Sequence, residues 1–162
     1  MQDMDRLEKI RQIVDEICRQ QPDIEEGRCG FVHLYGVSAT ATLLAMRRGL
    51  NSQLAATAGM LHDIWNYKVN DPTDHARLSA IEARRILAEV GGYSQAEIDQ
   101  VCRAIGLHSS KGQVDEPFDE LLKDADRLQH YLYNPALIEN PGADKRIQRA
   151  LDELSSGGAQ DV

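Results

Sequence analysis

An all-α fold, a single-domain helical bundle of about seven helices, is what this chain predicts, on three observations. Apolar residues recur at three- and four-residue steps through almost every segment. No stretch has the character of a strand. The residues between periodic segments are those of helix ends, with Asn, Ser and Pro at starts and glycine at stops. A chain of 162 residues buries roughly 70% of its unfolded surface, enough core to need no disulfides. No repeat or linker divides it, so residues 1–155 read as one domain and 156–162 as a disordered tail.

Residues 3–20 carry Leu7, Ile10, Ile13, Val14 and Ile17 at helical spacing and run out at Pro22. Residues 30–48 form a second helix, apolar and small, closed by Arg47, Arg48 and Gly49, with the cations at the negative end of the dipole. Asn51 or Ser52 caps a third helix that reaches about residue 65, and 66–75 is a loop dense in Asn, Asp and Pro. A fourth helix covers 75–90 and stops at Gly91-Gly92. Ser94 with Glu97 is a capping box opening a fifth, and Pro117 suits the first turn of a sixth. A seventh runs from about 143 to 154.

Hydrophobic content of 42% and charged content of 27% are those of a soluble globular protein. A net charge of −8 argues against a nucleic-acid polymer as partner, since that affinity rests on cations neutralising phosphates. It leaves room for a small nucleotide in a local pocket. Three cysteines without C-x-x-C spacing fit reduced thiols in the cytoplasm. The charged N-terminus is no signal peptide, and no apolar run approaches membrane-spanning length.

Gly59-Met60-Leu61-His62-Asp63-Ile64-Trp65 sets two costly groups at the end of an apolar run, Leu54 to Leu61, that holds nothing ionisable. A carboxylate stays buried only if something pairs with it. A lone buried histidine is most often a satisfied core residue. A buried His-Asp pair with a second histidine, His33, on the adjacent helix is different, because a divalent cation would neutralise the carboxylate and take neutral imidazoles as ligands. One more carboxylate would complete the set. In the run Leu-Leu-Lys-Asp-Ala-Asp-Arg-Leu, Asp124 and Asp126 flank the apolar face equally, and periodicity does not choose between them.

The order His33, His62-Asp63, then an aspartate in Ala125-Asp126-Arg127-Leu128 resembles the HD-domain metal-dependent phosphohydrolase family, over about residues 30–133. The nearest likeness is to small single-domain bacterial members. The resemblance implies His33, His62, Asp63 and Asp126 as ligands of a divalent metal (Mn, Co, Ni, Zn, Mg or Fe), with Asp124 left as a supporting or surface residue. Asp63 would also act catalytically, orienting or deprotonating the attacking water. The substrate implied is a small phosphorylated metabolite, most often a nucleotide. Related members end the last motif in aspartate, where this chain has Gln129, and some family nucleotidases carry a glutamate where it has Asn66. In two-metal branches extra histidines hold the second ion, and His75 and His108 lie where those occur, as candidates for a second metal or a phosphate contact. Lys68 and Lys111 are candidates for substrate contact. His130 reads as surface, Trp65 as packed, and Arg47-Arg48 and Arg84-Arg85 as solvated or helix-end cations. The rival readings are a non-catalytic metal- or nucleotide-binding module of the same fold, and a di-iron oxygenase, which needs both extra histidines.

Overall fold

The computed structural model describes residues 5–156, which excludes nearly all of the expected tail. Among the described residues there are eight α-helices and no strand: α1 (Arg6–Arg19), α2 (Ile24–Arg48), α3 (Ser52–Leu61), α4 (Ile64–Val69), α5 (His75–Val90), α6 (Gln95–Leu107), α7 (Pro117–Tyr133) and α8 (Lys145–Ser155). Two 3₁₀ turns, Pro135–Leu137 and Pro141–Ala143, join the last two.

The helix ends follow from local chemistry. Asp23 accepts hydrogen bonds from the amides of Glu25 and Glu26, with both acids at the positive end of the dipole. It therefore starts α2 several residues before the expected position 30. Asn51 caps α3 through the Leu54 amide. The capping box of Ser94 and Glu97 forms, and Pro117 opens α7. Gly49 (φ 65°) and Gly91 (φ 72°) end α2 and α5 in backbone that favours glycine.

The expected third helix is two. Asp63 leaves the helical region (φ −114°, ψ 17°), so α3 stops at Leu61 and α4 restarts at Ile64, carrying the helix through 66–69 where a loop was expected. This break gives the bundle its eighth helix and turns the Asp63 side chain out of the periodic pattern.

The core is continuous, built from Leu34, Val37 and Leu44 of α2, all of α3 from Leu54 to Leu61, and apolar faces of α5, α6 and α7. By length and composition α2 could cross a membrane, contrary to the expectation that no segment would reach that threshold. Here, however, its small face is packed in the bundle, with Gly30, Leu34, Val37, Ala41 and Leu44 buried.

Where α2 and α3 cross, a Cβ on Gly59 would lie 2.6 Å from the backbone of Ser38. Only a missing side chain allows that approach, and Ser38 locks it by donating to the carbonyl of Ala56 at 2.9 Å. Gly59→Ala must push the two central helices apart. It should cost about 1–3 kcal/mol, the usual penalty of overpacking a core. Thermal unfolding checks this, and an unchanged Tm would contradict the close crossing.

Candidate metal centre

Four side chains from three parts of the chain meet inside the bundle. Nε2 of His33 (α2) lies 3.0 Å from Nε2 of His62, at the C-terminal end of α3. The same His33 atom is 3.2 Å from Asp63 Oδ2 and 3.4 Å from Asp126 Oδ1 of α7. His62 Nε2 is 3.2 Å and 3.6 Å from those two oxygens. Ligands about 2.1 Å from one ion stand about 3.0 Å apart at right angles and about 3.4 Å apart in a tetrahedron. The observed separations span these values.

The histidines are fixed by their other nitrogens. His62 Nδ1–H donates to the carbonyl of Gly59 at 2.8 Å, His108 Nδ1–H to Ile105 at 2.7 Å, and His75 Nδ1–H to Pro72 at 3.0 Å. In each case the acceptor is the carbonyl three residues earlier, at a helix end or the turn before one. His33 Nδ1–H donates to Gln129 Oε1 at 2.8 Å. With Nδ1 protonated, each ring can present an unprotonated Nε2, the arrangement that orients metal-binding imidazoles.

Asp63 faces two ways. Its Oδ2 meets His33 and His62, while its Oδ1 lies 3.2 Å from His108 Nε2 and 3.5 Å from His75 Nε2. Buried Asp63 Oδ1 and Asp126 Oδ1 accept no hydrogen bond. Groups suited to holding a cation are accordingly His33, His62 and Asp126, and His62, Asp63 and His108. An oxygen buried without a donor, among imidazole nitrogens, fits a cation.

Titration reflects the same crowding. Burial opposes charge on both carboxyls, yet His62 and the surrounding imidazoles hold Asp63 and Asp126 well below the usual carboxylate range. Burial lowers His62, but the two carboxylates outweigh it and push its pKa up to about 10. Burial keeps His108 below its ordinary value. Protonated imidazole is thus one of the positive groups that answer these carboxylates.

Lys111, in the loop after α6, donates to Asp126 Oδ2 at 2.6 Å and to the carbonyl of His108 at 3.1 Å. Its backbone is gripped in turn, since the Arg146 guanidinium of α8 donates to the carbonyl of Lys111 (2.8 Å) and to Glu120 and Asp124 (both 2.8 Å). Lys68 does not join the cluster. It sits in the last turn of α4, not a loop, and pairs with Glu82 at 2.8 Å. His130 is half-exposed, as expected of a surface residue, but its ring lies 4.8 Å from that of His33 and its Nε2 3.4 Å from Asp126 Oδ1.

The structure separates the two aspartates that periodicity left tied. Asp126 faces His33 and His62, while Asp124, 1% exposed, pairs with Arg48, Arg146 and Arg149. Arg48 is therefore no solvated cation; it bridges Asp124 and Glu153. Gln129 entered the sequence reading only as a departure from the family pattern, and Arg146 escaped it. Gln129 stands three residues after Asp126 on the same face of α7, a spacing that could have marked it. Arg146 acts across a distance in sequence that no local pattern reports.

A cavity of about 350 Å³ opens beside the cluster, with His33 and Asp63 in its wall. A buried set of imidazoles and carboxylates reached from a pocket is the centre of a metal-dependent enzyme. The HD-domain family profile matches residues 30–131. The chain belongs to the HD-domain family and is a metal-dependent hydrolase of the phosphohydrolase class. It is similar to "Putative phosphohydrolase YueE" of Bacillus subtilis (strain 168), 29% identical over 148 aligned residues that cover 78% of this chain and 82% of the relative. No solved structure matches.

Asp124→Asn separates support from site. A buried pair that loses one partner costs about 3–5 kcal/mol. Here Arg48 and Arg146 keep Glu153 and Glu120, so about 2–3 kcal/mol is expected. Denaturant unfolding should register that loss while metal uptake per folded molecule stays at the parent level. Lost uptake in a fully folded variant would place Asp124 in the site.

Proposed function

We propose that the protein hydrolyses a phosphate ester or anhydride of a small metabolite, a nucleotide being the substrate class, at a divalent cation held by His33, His62, Asp63 and Asp126. The observation that carries this reading is the convergence of two Nε2 atoms and two carboxylates, with buried oxygens lacking donors, beside an open cavity. The cavity favours an enzyme over a structural clamp, which leaves no open coordination position. His75 and His108, both facing Asp63 Oδ1, would hold a second cation. Imidazole donors suit Mn, Fe, Co, Ni or Zn better than Mg, which prefers oxygen.

A divalent ion in such a site lowers the pKa of water from 15.7 towards about 7 and polarises a phosphoryl oxygen. The chain supplies the rest. With Oδ2 turned to His33 and His62, Asp63 Oδ1 would orient the attacking water and take its proton in the one-ion site. Lys111 keeps Asp126 in place and offers an ammonium to the phosphoryl group. With both extra histidines beside Asp63, the di-iron oxygenase reading has its required residues too, and metal content separates the two: an oxygenase holds two irons.

Screening phosphorylated metabolites with Mn²⁺, Co²⁺, Ni²⁺ and Mg²⁺ tests the reading directly. Turnover should require metal and vanish in Asp63→Ala. That variant should also lose the gain in Tm that metal gives the parent, each measured against its own metal-free Tm. Metal-independent turnover, or a parent-like metal response in Asp63→Ala, would contradict it.

Metal uptake should also displace the proton at His62. That pKa is raised to about 10 from an ordinary 6.5, so the proton's contribution to metal-free stability is complete below about pH 6.5 and fades as pH rises towards 10. At pH 7–8 each ion entering the His33–His62 site should release the His62 proton in addition to that of its bound water, and well above pH 10 only the latter. Calorimetric titration in buffers of different ionisation enthalpy measures this. Release that does not fall with rising pH would locate the proton elsewhere.

A further inference from the structure

Asp126 divides its two oxygens. Oδ1, turned to His33 and His62, is buried without a donor, while Oδ2 accepts from the Lys111 ammonium at 2.6 Å. A donor on one oxygen fixes the plane of the carboxylate and leaves the other oxygen aimed at a cation. Lys111 does this from the loop between α6 and α7, with its side chain 30% exposed. Its flexible four-carbon stem loses rotamer freedom when the ammonium is ordered. Such a side chain keeps one geometry only if the backbone that carries it is held.

The holder lies in α8. Arg146, largely buried, donates to the Lys111 carbonyl from Nε (3.2 Å) and from Nη2 (2.8 Å), and Nη2 also meets the carbonyl of Gln113 at 3.4 Å. Its Nη1 donates to Glu120 and Asp124 of α7, both at 2.8 Å. One edge of the planar guanidinium is thus clamped by two carboxylates, and the other grips the loop. Lys123, fully buried, holds the same loop further on, at the Gln113 carbonyl (3.0 Å) and at Asp115. Arg146 holds it at Lys111 itself. The start of α8 is fixed in turn: Asp144 accepts from the amides of Arg146 and Ile147, both at 3.1 Å, and from Arg127, the neighbour of Asp126, at 2.7 Å.

Resting on the metal site proposed above, we infer that Arg146 is a positioning residue for that site. By fixing the backbone at Lys111 it keeps the ammonium on Asp126 Oδ2, and so aims Asp126 Oδ1 at the ion. A purely structural Arg146, acting only as a partner of Asp124 and Glu120, makes a different prediction. Changing it would lower stability and leave the affinity of the folded site for metal unaltered.

The test is a double-mutant cycle read as metal affinity. Arg146→Lys keeps a positive charge between Glu120 and Asp124, so the fold should survive, but it loses the planar fork that spans carboxylates and loop carbonyl. Arg146→Gln removes the charge as well. Calorimetric titration with Mn²⁺, Co²⁺, Ni²⁺ and Zn²⁺ gives the affinities, and thermal unfolding shows that each variant is folded at the temperature of titration. Arg146→Lys should weaken binding of the ion by about tenfold, the low end of what a metal site loses with an outer partner. In a Lys111→Met background the ammonium is gone. There the same change should leave affinity within about twofold, while the fall in Tm that it causes persists. Parent affinity in folded Arg146→Lys and Arg146→Gln, or an equal loss in both backgrounds, would overturn the inference. Hydrolysis does not enter this readout. A protein that shows the coupling yet hydrolyses no phosphate compound loses the hydrolase reading and keeps the inference. A parent that binds none of the four ions loses both the metal centre and the inference.

Discussion

The carboxylate of Asp63, buried among imidazoles, is the constraint on which the rest of this structure depends. Its oxygens face four histidine nitrogens, within 3.2–3.5 Å. An ionised carboxylate taken out of water costs several kcal/mol unless a positive charge answers it. Histidines whose Nδ1 protons are spent on carbonyls cannot all supply that charge, because their Nε2 atoms then carry lone pairs. A proton can answer part of the demand, and a divalent cation answers it more fully. Much of the fold can be understood as the means of holding those nitrogens in place against their repulsion.

Helix ends do most of that holding. The carbonyls of a final turn have acceptor capacity to spare, and His62 and His108 each use one. Each ring is thereby oriented by the backbone that ends its own helix, a more rigid support than a side-chain partner. The break at Asp63 belongs to the same device. By leaving helical geometry there, the chain lets adjacent residues, His62 and Asp63, point at one place, which a continuous helix forbids because neighbours lie about 100° apart. Gly59, one turn earlier, lets α2 approach closely enough for His33 to reach them.

This explains why some of the molecule was legible in the sequence and some was not. Helices α1, α5, α6 and α7 could be read because periodicity and capping are local. His33, His62 and Asp63 stood out as ionisable residues in apolar surroundings, and Asp126 followed only from resemblance, since helical angles favour Asp124 equally. What separates those two is long-range: Arg48, Arg146 and Arg149 claim Asp124 from α2 and α8. The position of Lys68 was misjudged because α4 is shorter than the window in which periodicity is read, and Glu82 had no sequence signal as its partner. Gln129 was noted as a departure from the family pattern, not as the acceptor that orients His33.

Gln129 and Asn66 also bear on what kind of site this is. A carboxylate at 129 would make His33 more basic and add negative charge near Asp126; the neutral amide orients the ring without that addition. Asn66 likewise adds a neutral amide, and no carboxylate, to the cavity wall. The polar residues at the centre thus divide into those that concentrate negative charge at one point and those that hold or surround that point without adding to it. The outer network follows the same division. Arg146 is saturated by Glu120, Asp124 and the carbonyl of Lys111, so its positive charge is used in fixing the loop. It fixes that loop from α8, beyond the family-matched residues 30–131. The ammonium of Lys111 is then the cation that this outer network delivers to the centre.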